Sequence, residues 1–300
     1  MAIRPLGEHR FGSKSTDLKL SIVEGYLKAF TTALRRKYPA LWYIDAFAGT
    51  GERTVKHDAR PADMFAEAVE ERIEARRGSA LIALKPIPAF DRLIFMDIRA
   101  RHCKALERLR AEYPDRQIDV IKGDANDIIE QIVRARRWSG TRAVILLDPY
   151  GMHVDWATLE AIRKTEAMDV WYLVSLEGLW RQASIDPAKL TAKKREAITR
   201  MVGTDDWQTA WYGPKSAQGT LDLGIEETRR TASVDDIADY FLGRLRSLFP
   251  TVLKPLRLKN KGGAPAFALF FAMSNPDPKA TRVATRIASQ ILKSGMASHV

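Results

Sequence analysis

Residues Trp42–Gly51 read W-Y-I-D-A-F-A-G-T-G, an apolar run that passes directly into a glycine-containing turn. Within it, Leu41–Ala46 is typical of a buried parallel strand, because aromatic and branched residues follow one another. Gly49 and Gly51 allow the backbone to approach a ligand where a Cβ atom would clash. A glycine turn that directly follows a strand predicts a site for a nucleoside-bearing cofactor.

The turn also argues against two common classes of nucleotide site. Position 54 is Thr, so the third glycine of the dinucleotide fingerprint G-x-G-x-x-G is missing. This weakens the case for a nicotinamide or flavin dinucleotide. The sequence has no Walker-type G-K-[ST] motif, so hydrolysis of a nucleoside triphosphate has little support.

Strand-like and helix-like segments alternate along most of the chain. Predicted strands after the first cover residues 92–97, 117–122, 142–147 and 169–176. Predicted helices cover residues 15–38, 79–84, 101–113, 126–136, 156–165, 234–249 and 278–292. Such alternation predicts an α/β fold with a doubly wound, mostly parallel sheet that binds its ligand at the carboxyl ends of the strands. Strands over 252–259 and 266–273, joined by the turn 260–264, predict an antiparallel C-terminal hairpin.

The pattern divides the chain into three regions. Residues 1–40 are expected to form an N-terminal helical segment packed on the core, which is formed by 41–176 and 232–300. Residues 177–231 are polar and read as a helical insertion. Residues 52–77 predict a further insertion or mobile loop, partly helical from Met64 to Arg76. That segment either lies near the cofactor, as a lid or substrate-binding element, or packs elsewhere.

Composition limits the possible partners and metals. The 300 residues carry a formal net charge of +11, which favours polyanions, although a solvated basic surface would give the same balance. The single cysteine, Cys103, excludes an internal disulfide and a cysteine-rich metal site, and we expect no metal. Cys103 is expected to be a structural thiol and His102 a surface or cap residue. With no apolar run of membrane-spanning length and no signal peptide, a cytoplasmic protein is expected.

A basic segment is the candidate surface for nucleic acid. It combines cations with the aromatic residues Trp207 and Trp211, and its cations are Lys193, Lys194, Arg195 and Arg200. Phosphates bind cations and bases stack on aromatic rings. Solvated helix charges are the alternative interpretation.

The sequence D-A-F-A-G-T-G resembles motif I of class I S-adenosylmethionine-dependent methyltransferases, in the form D-x-F-x-G-x-G seen in enzymes that act on nucleic acids. The resemblance implies that the cofactor is S-adenosylmethionine. It implies that Asp97 binds the ribose hydroxyls and that Asp124 lies near the adenine amino group. It implies that the cofactor is bound by Asp45, Phe47, Ala48, Gly49, Thr50, Gly51, Asp97, Ile98, Asp124 and Ala125. A carboxylate can accept both hydrogen bonds of a ribose diol. Alternatively, each acid after a strand is only a helix cap. Asp45 either orients the turn through backbone bonds, touches the methionyl amine of the cofactor indirectly, or does both.

The catalytic residues are implied by a second motif. Asp148-Pro149-Tyr150 resembles the [DN]-P-P-[YFW] motif of amino-methylating enzymes, in which a polar side chain and a prolyl carbonyl hold the target amine and an aromatic ring stacks on the base. This chain has one proline where that motif has two. The alternative interpretation is a tight turn followed by Gly151.

Four segments together are similar to the bacterial three-Cys-motif partner protein family: Y-I-D-A-F-A-G-T-G, R-G-S-A-L-I-A-L, G-D-A-N and L-D-P-Y-G-M-H-V-D-W-A-T-L-E-A-I. That family is named for a separate partner with three cysteines, suggestive of an iron–sulfur radical enzyme. The favoured function is methyl transfer to an amine of a nucleic-acid or nucleotide-like substrate. Two alternatives stay open: a non-catalytic or accessory subunit of the three-cysteine partner, and a small-molecule methyltransferase.

Overall fold

The computed structural model describes residues 14–50, 52–57, 72–214, 228–259 and 265–297. Its strands are β1 (Ala40–Asp45), β2 (Glu52–His57), β3 (Arg72–Arg77), β4 (Arg92–Asp97), β5 (Ile118–Lys122), β6 (Thr141–Leu147), β7 (Met168–Ser175), β8 (Tyr212–Pro214), β9 (Thr228–Arg230), β10 (Thr251–Val252), β11 (Leu256–Lys259) and β12 (Pro265–Met273). Its α-helices are α1 (Lys14–Leu34), α2 (Ser79–Ala83), α3 (Ala100–Glu112), α4 (Ala125–Arg134), α5 (Trp156–Lys164), α6 (Leu176–Gln182), α7 (Ala192–Val202), α8 (Trp207–Trp211), α9 (Val234–Leu248) and α10 (Pro278–Ala297). A 3-10 helix covers Pro187–Lys189.

Eight strands form the central sheet in the order β10-β12-β7-β6-β1-β4-β5, with β11 also paired to β12. Strands β5, β4, β1, β6 and β7 are mutually parallel, whereas β12 runs antiparallel to β7. Chain order reverses at β1, which lies between β4 and β6, and this is the switch point at which doubly wound sheets bind ligands. The predicted mostly parallel, doubly wound sheet with an antiparallel C-terminal hairpin is confirmed.

Helices cover both faces of the sheet, so the inner parallel strands β1, β4, β6 and β7 are almost entirely buried, whereas the edge strand β5 is mostly half-buried. In β1, Trp42 and Ile44 belong to the hydrophobic cluster with α4, α5 and α9, while Leu41 and Tyr43 belong to the cluster with α1, α2 and α3. Alternate side chains of a strand point to opposite faces, which explains this division. The helices of the 177–231 segment join the first cluster and α10 joins the second.

Two sequence predictions need correction. The helix over Met64–Arg76 is wrong where the structure describes it, because Arg72–Arg77 is strand β3, paired antiparallel with β2. Backbone pairing between distant segments overrides the helix propensity of this Glu- and Arg-rich stretch. The strand predicted over 252–259 is divided into β10 and β11, which are separated by Leu253-Lys254-Pro255.

Helix boundaries shift by a few residues. Helix α1 ends at Leu34, before the expected stop at Tyr38-Pro39, and the predicted start of α9 is confirmed by a capping box between Ser233 and Asp236. The predicted turn 260–264 and residues 64–71 lie outside the described residues. In the described part of the chain, helices of membrane-spanning length and hydropathy are absent.

Candidate cofactor and catalytic site

Three acids lie at one edge of the sheet. Asp45 is the last residue of β1, Asp97 is the last residue of β4, and Asp148 directly follows β6. Because β4, β1 and β6 are adjacent parallel strands, their carboxyl ends meet at the switch point. The structure therefore brings together motifs that are 103 positions apart in sequence, from Asp45 to Asp148.

The glycine turn is held against both neighbouring strands. Ala46 N donates to Leu146 O at 3.1 Å, and Ala48 N donates to Met96 O at 2.9 Å. Gly49 has φ +63°, a left-handed conformation that L side chains rarely adopt, and a Cβ atom built there would meet nothing within 4 Å. The turn thus presents bare backbone to open space. Phe47 is half-buried, Ala48 is buried and Thr50 is exposed, while Gly51 lies outside the described residues.

Asp97 is buried directly beside this turn. Its Oδ2 accepts a hydrogen bond from Gly49 N at 3.2 Å and lies 2.9 Å from His102 Nδ1, and its Oδ1 accepts from Arg99 N at 2.8 Å. A carboxylate offers about four acceptor positions, so about one stays open for a ligand hydroxyl. The expectation that His102 is a surface or cap residue is wrong, because α3 directs its ring into the protein, where it contacts Asp97.

Residues beside Asp97 differ in exposure. Ile98 is 64% exposed, an unusual state for a large apolar side chain next to a buried carboxylate. Cys103 is buried, which suits the structural thiol expected from the sequence, and its thiol donates to the carbonyl of Asp97. Burial and the nearby Asp97 carboxylate raise the pKa of the Cys103 thiol, so it is unsuited to act as a thiolate.

Asp124 takes the helix-cap position that was the alternative to adenine binding. It is exposed, and its Oδ1 accepts from Asn126 N at 2.8 Å at the start of α4. Ala125 beside it is buried. The hydrogen bond satisfies a backbone N–H at the helix terminus.

Asn126 connects α4 to the loop that follows β6. Its Nδ2 donates to His153 O at 3.0 Å, while its Oδ1 accepts from Asp155 N at 3.0 Å and from Thr158 Oγ1 at 2.7 Å. These bonds fix the segment immediately after Asp148-Pro149-Tyr150 against the neighbouring helix terminus.

The Asp148-Pro149-Tyr150 motif carries an ion pair that the sequence analysis missed. Lys19 Nζ, from α1, donates to Asp148 Oδ2, and the two side chains are 8% and 25% exposed. Pro149 is buried, whereas Tyr150 is 71% exposed. The guanidinium carbon of Arg99 lies 5.4 Å from the centre of the Tyr150 ring, which is within cation–π range. Tyr150 therefore reaches across the end of β1 toward the loop after β4.

Asp45 supports the turn from below. It is completely buried, Phe47 N donates to its Oδ1 at 3.3 Å, and Tyr43 Oη donates to its Oδ2 at 3.3 Å. Burial raises the pKa of Asp45 to about 6, opposed by a hydrogen bond from the Ser79 side chain, while the negative charge of Asp148 raises it further. These contacts match the interpretation in which Asp45 orients the turn through a backbone bond.

The predicted nucleic-acid segment is only partly exposed. Trp207 and Trp211 are 0% and 1% exposed, so stacking of bases on these two rings is excluded in this structure. Arg200 Nε pairs with Asp155 Oδ1 at 2.9 Å, and Lys194 Nζ donates to Ser184 Oγ at 3.1 Å. Lys193 and Arg195 are exposed, and Arg195 also donates to Pro187 O.

One residue missed by the sequence analysis carried a readable signal. Lys19 stands on the apolar stripe of α1, in helical register with Ile22, Val23 and Tyr26, where a charged residue needs a buried partner. Asn126 and His102 carried no comparable signal, because their partners come from separate loops and strands.

Other features of the described residues do not form a competing site. They contain no cluster of three or more His, Cys, Asp or Glu side chains suited to a metal ion. A cavity of about 530 Å³ lies at the opposite edge of the sheet and is lined by Trp138, Ser139, Arg142, Thr165, Glu166, Asn275, Pro276 and Asp277. That edge holds the amino ends of β6 and β7, whereas doubly wound sheets bind ligands at the carboxyl ends.

The chain is distantly similar to solved structures. Protein LPL1258 from Legionella pneumophila strain Philadelphia 1 is 11% identical over 95% of each chain, with a TM-score of 0.51. An rRNA methylase from Streptococcus thermophilus is 10% identical, with 84% of this chain and 94% of that chain covered and a TM-score of 0.35. An S-adenosylmethionine-dependent methyltransferase from Clostridium acetobutylicum is 9% identical, with coverage of 83% and 91% and a TM-score of 0.37.

No protein-family model matches the chain, and no curated protein matches it in sequence. At these low identities the structural similarity concerns the fold alone. The strand order and the antiparallel pairing of β12 with β7 confirm the predicted doubly wound, mostly parallel sheet with an antiparallel C-terminal strand.

Proposed function

We propose that this protein is an S-adenosylmethionine-dependent methyltransferase that methylates an amine of a nucleic-acid or nucleotide-like substrate. One observation carries the proposal. The bare turn at Gly49, with the Asp97 carboxylate beside it, lies next to Asp148-Pro149-Tyr150 across the end of β1. A cofactor and an acceptor bound at these two places would meet above the same strand.

The residues present fit S-adenosylmethionine. Gly49 leaves open space where any side chain would protrude, and Asp97 keeps an acceptor position for a ribose hydroxyl. The exposed side chain of Ile98 offers an apolar surface to adenine. Asp124, although it caps α4, is exposed near the same edge and would be available to the adenine amine.

The acceptor side follows from Asp148 and Tyr150. When bound, S-adenosylmethionine supplies a methyl group activated by a sulfonium sulfur. Asp148 would accept an N–H hydrogen bond and so aim the nitrogen lone pair at that methyl carbon. Transfer would form a C–N bond at the expense of the C–S bond, would leave the bonding electrons on the sulfur, and would release one proton from the nitrogen to solvent. Tyr150, which is 71% exposed, would stack on a planar base.

Pairing with a three-cysteine partner and contact of Lys193, Lys194, Arg195 and Arg200 with nucleic acid stay predictions. Lys193 and Arg195 are exposed and suit phosphate contact, whereas Arg200 would have to leave Asp155. A steep fall in polynucleotide affinity with rising salt would support the contact.

Two measurements test the proposed function. Calorimetry with S-adenosylmethionine and S-adenosylhomocysteine should show binding of both. Transfer of tritium from methyl-labelled cofactor should then be measured on single-stranded DNA, on RNA and on free nucleosides, with Asp148→Ala as control. Cofactor binding with transfer to polynucleotides supports the proposal, and transfer only to nucleosides indicates a small-molecule enzyme. Binding without transfer to any of these probes would favour an accessory subunit, and absence of binding would refute the cofactor assignment.

A further inference from the structure

The geometry points to Lys19 as a positioning residue for methyl transfer: its ammonium group holds one oxygen of the Asp148 carboxylate, so that the second carboxylate oxygen receives the acceptor amine. This inference rests on the proposed function. It concerns a residue of the N-terminal helix, far in sequence from the motifs that suggest methyl transfer.

The position of Lys19 is difficult to explain by folding alone. Its side chain is 8% exposed, and it stands among the buried residues Ile22, Val23 and Tyr26 on α1. Burial of an ammonium group opposes folding unless it is paired, and a well-packed apolar residue is often as stable as a buried ion pair. A lysine at a core-facing position is therefore weak evidence for a stabilising role, and its direct contact with Asp148 suggests a role in the site.

The contact leaves the carboxylate able to bind substrate. Lys19 Nζ donates its hydrogen bond to Oδ2 of Asp148. Among the described residues, no hydrogen-bonding partner is found for Oδ1 of Asp148. An ionised carboxylate accepts on both oxygens, so lysine and an acceptor amine can bind simultaneously. Asp148 is 25% exposed, which leaves it reachable from solvent.

The groups around Asp148 include charges of both signs. The Asp45 carboxyl lies close enough on β1 to interact with it electrostatically, the Tyr43 hydroxyl lies on the same strand, and the Lys19 ammonium contacts it from α1. An ammonium in contact with a carboxylate compensates its negative charge, which a second carboxylate nearby opposes. A protonated Asp148 would donate a hydrogen bond at one oxygen and could no longer accept the amine equally well.

The test compares Lys19→Met with Lys19→Arg, and uses Lys28→Met as the matched control. Lys28 lies on the same helix, is 54% exposed and pairs with Glu24, so its loss should change nothing at the site. At neutral pH we expect Lys19→Met to lower kcat about 10- to 100-fold, the contribution of one charge-assisted hydrogen bond. The KM for S-adenosylmethionine should stay unchanged, the acid limb of the pH–rate profile should move to higher pH, and Lys19→Arg should restore part of the rate. The double variant Lys19→Met/Asp148→Asn should be no slower than Asp148→Asn.

A second measurement does not need activity. Carbon-13 NMR of protein labelled at the aspartate carboxyl carbons would follow Asp148, whose signal is assigned by its loss in Asp148→Asn. In Lys19→Met this signal should titrate at a pH at least about one unit higher than in the wild type. An unchanged titration would overturn the inference even if methyl transfer occurs. A shifted titration in a protein that transfers no methyl group would support the ion-pair role while refuting the proposed function.

Discussion

Substitution of Gly49 by alanine tests the cofactor site with little ambiguity about folding. Gly49 has φ +63°, so an L side chain there is strained, but a Cβ atom meets no other atom within 4 Å. The backbone strain alone should lower the free energy of unfolding by about 1–2 kcal/mol. The new methyl group, however, projects into the space in which we place the cofactor. We expect the affinity for S-adenosylhomocysteine to fall at least about tenfold, which corresponds to 1.4 kcal/mol.

Gly140→Ala is the matched control. Gly140 has φ +78° and its Cβ would meet Pro39 at 3.5 Å, an ordinary contact, at the opposite edge of the sheet. Thermal unfolding should show a similar loss of a few degrees for both variants, whereas calorimetry should show weakened S-adenosylhomocysteine binding only for Gly49→Ala. Unchanged binding in Gly49→Ala, or an equal loss in Gly140→Ala, would refute the placement of the cofactor at the turn.

Three further predictions concern substitutions of Asp148, Asp169 and Asn126. Asp148→Ala should abolish methyl transfer but leave calorimetric cofactor affinity largely intact; equal loss of both would place Asp148 in the cofactor site. Burial raises the pKa of Asp169 to about 7, well above its unfolded value of 3.8, so its contribution to stability is present below pH 4 and is lost as the pH rises through about 7. Asp169→Asn should therefore flatten the fall in unfolding free energy between pH 4 and 7 by up to about 4 kcal/mol in denaturant titrations, and an unaltered slope would contradict this. Asn126→Ala removes two hydrogen bonds to the loop after β6 and one to Thr158 of α5, and should lower the unfolding free energy by about 2–3 kcal/mol, measured with urea. A change below about 0.5 kcal/mol would show that this connection is unimportant.

Much of the sheet could be predicted because its strands are buried on both faces. Strands β4 and β6 read as uninterrupted apolar runs, and an acid follows or ends each run. Parallel pairing then brings those acids to one edge by topology alone. This reasoning located Asp45, Asp97 and Asp148 correctly at a shared edge without any knowledge of side-chain contacts.

The features that were missed depend on contacts between distant segments. The β2–β3 hairpin is set by backbone pairing across the undescribed residues 58–71, although the local sequence favours helix. Trp207 and Trp211 resembled surface aromatics because their neighbours are polar, but both pack into the cluster shared with α9. The Lys19–Asp148 pair joins residues 129 positions apart, so local patterning could flag the buried lysine but could not name its partner.

The two acids beside the turn are placed in different environments, and this difference assigns them different tasks. Asp45 is fully buried with its pKa raised to about 6, and its contacts are to the turn, to Ser79 and to Tyr43. Asp148 is partly exposed and has an ammonium group in direct contact. Asp45 therefore suits the support of the glycine turn, whereas Asp148, held at one oxygen by Lys19, suits contact with an acceptor.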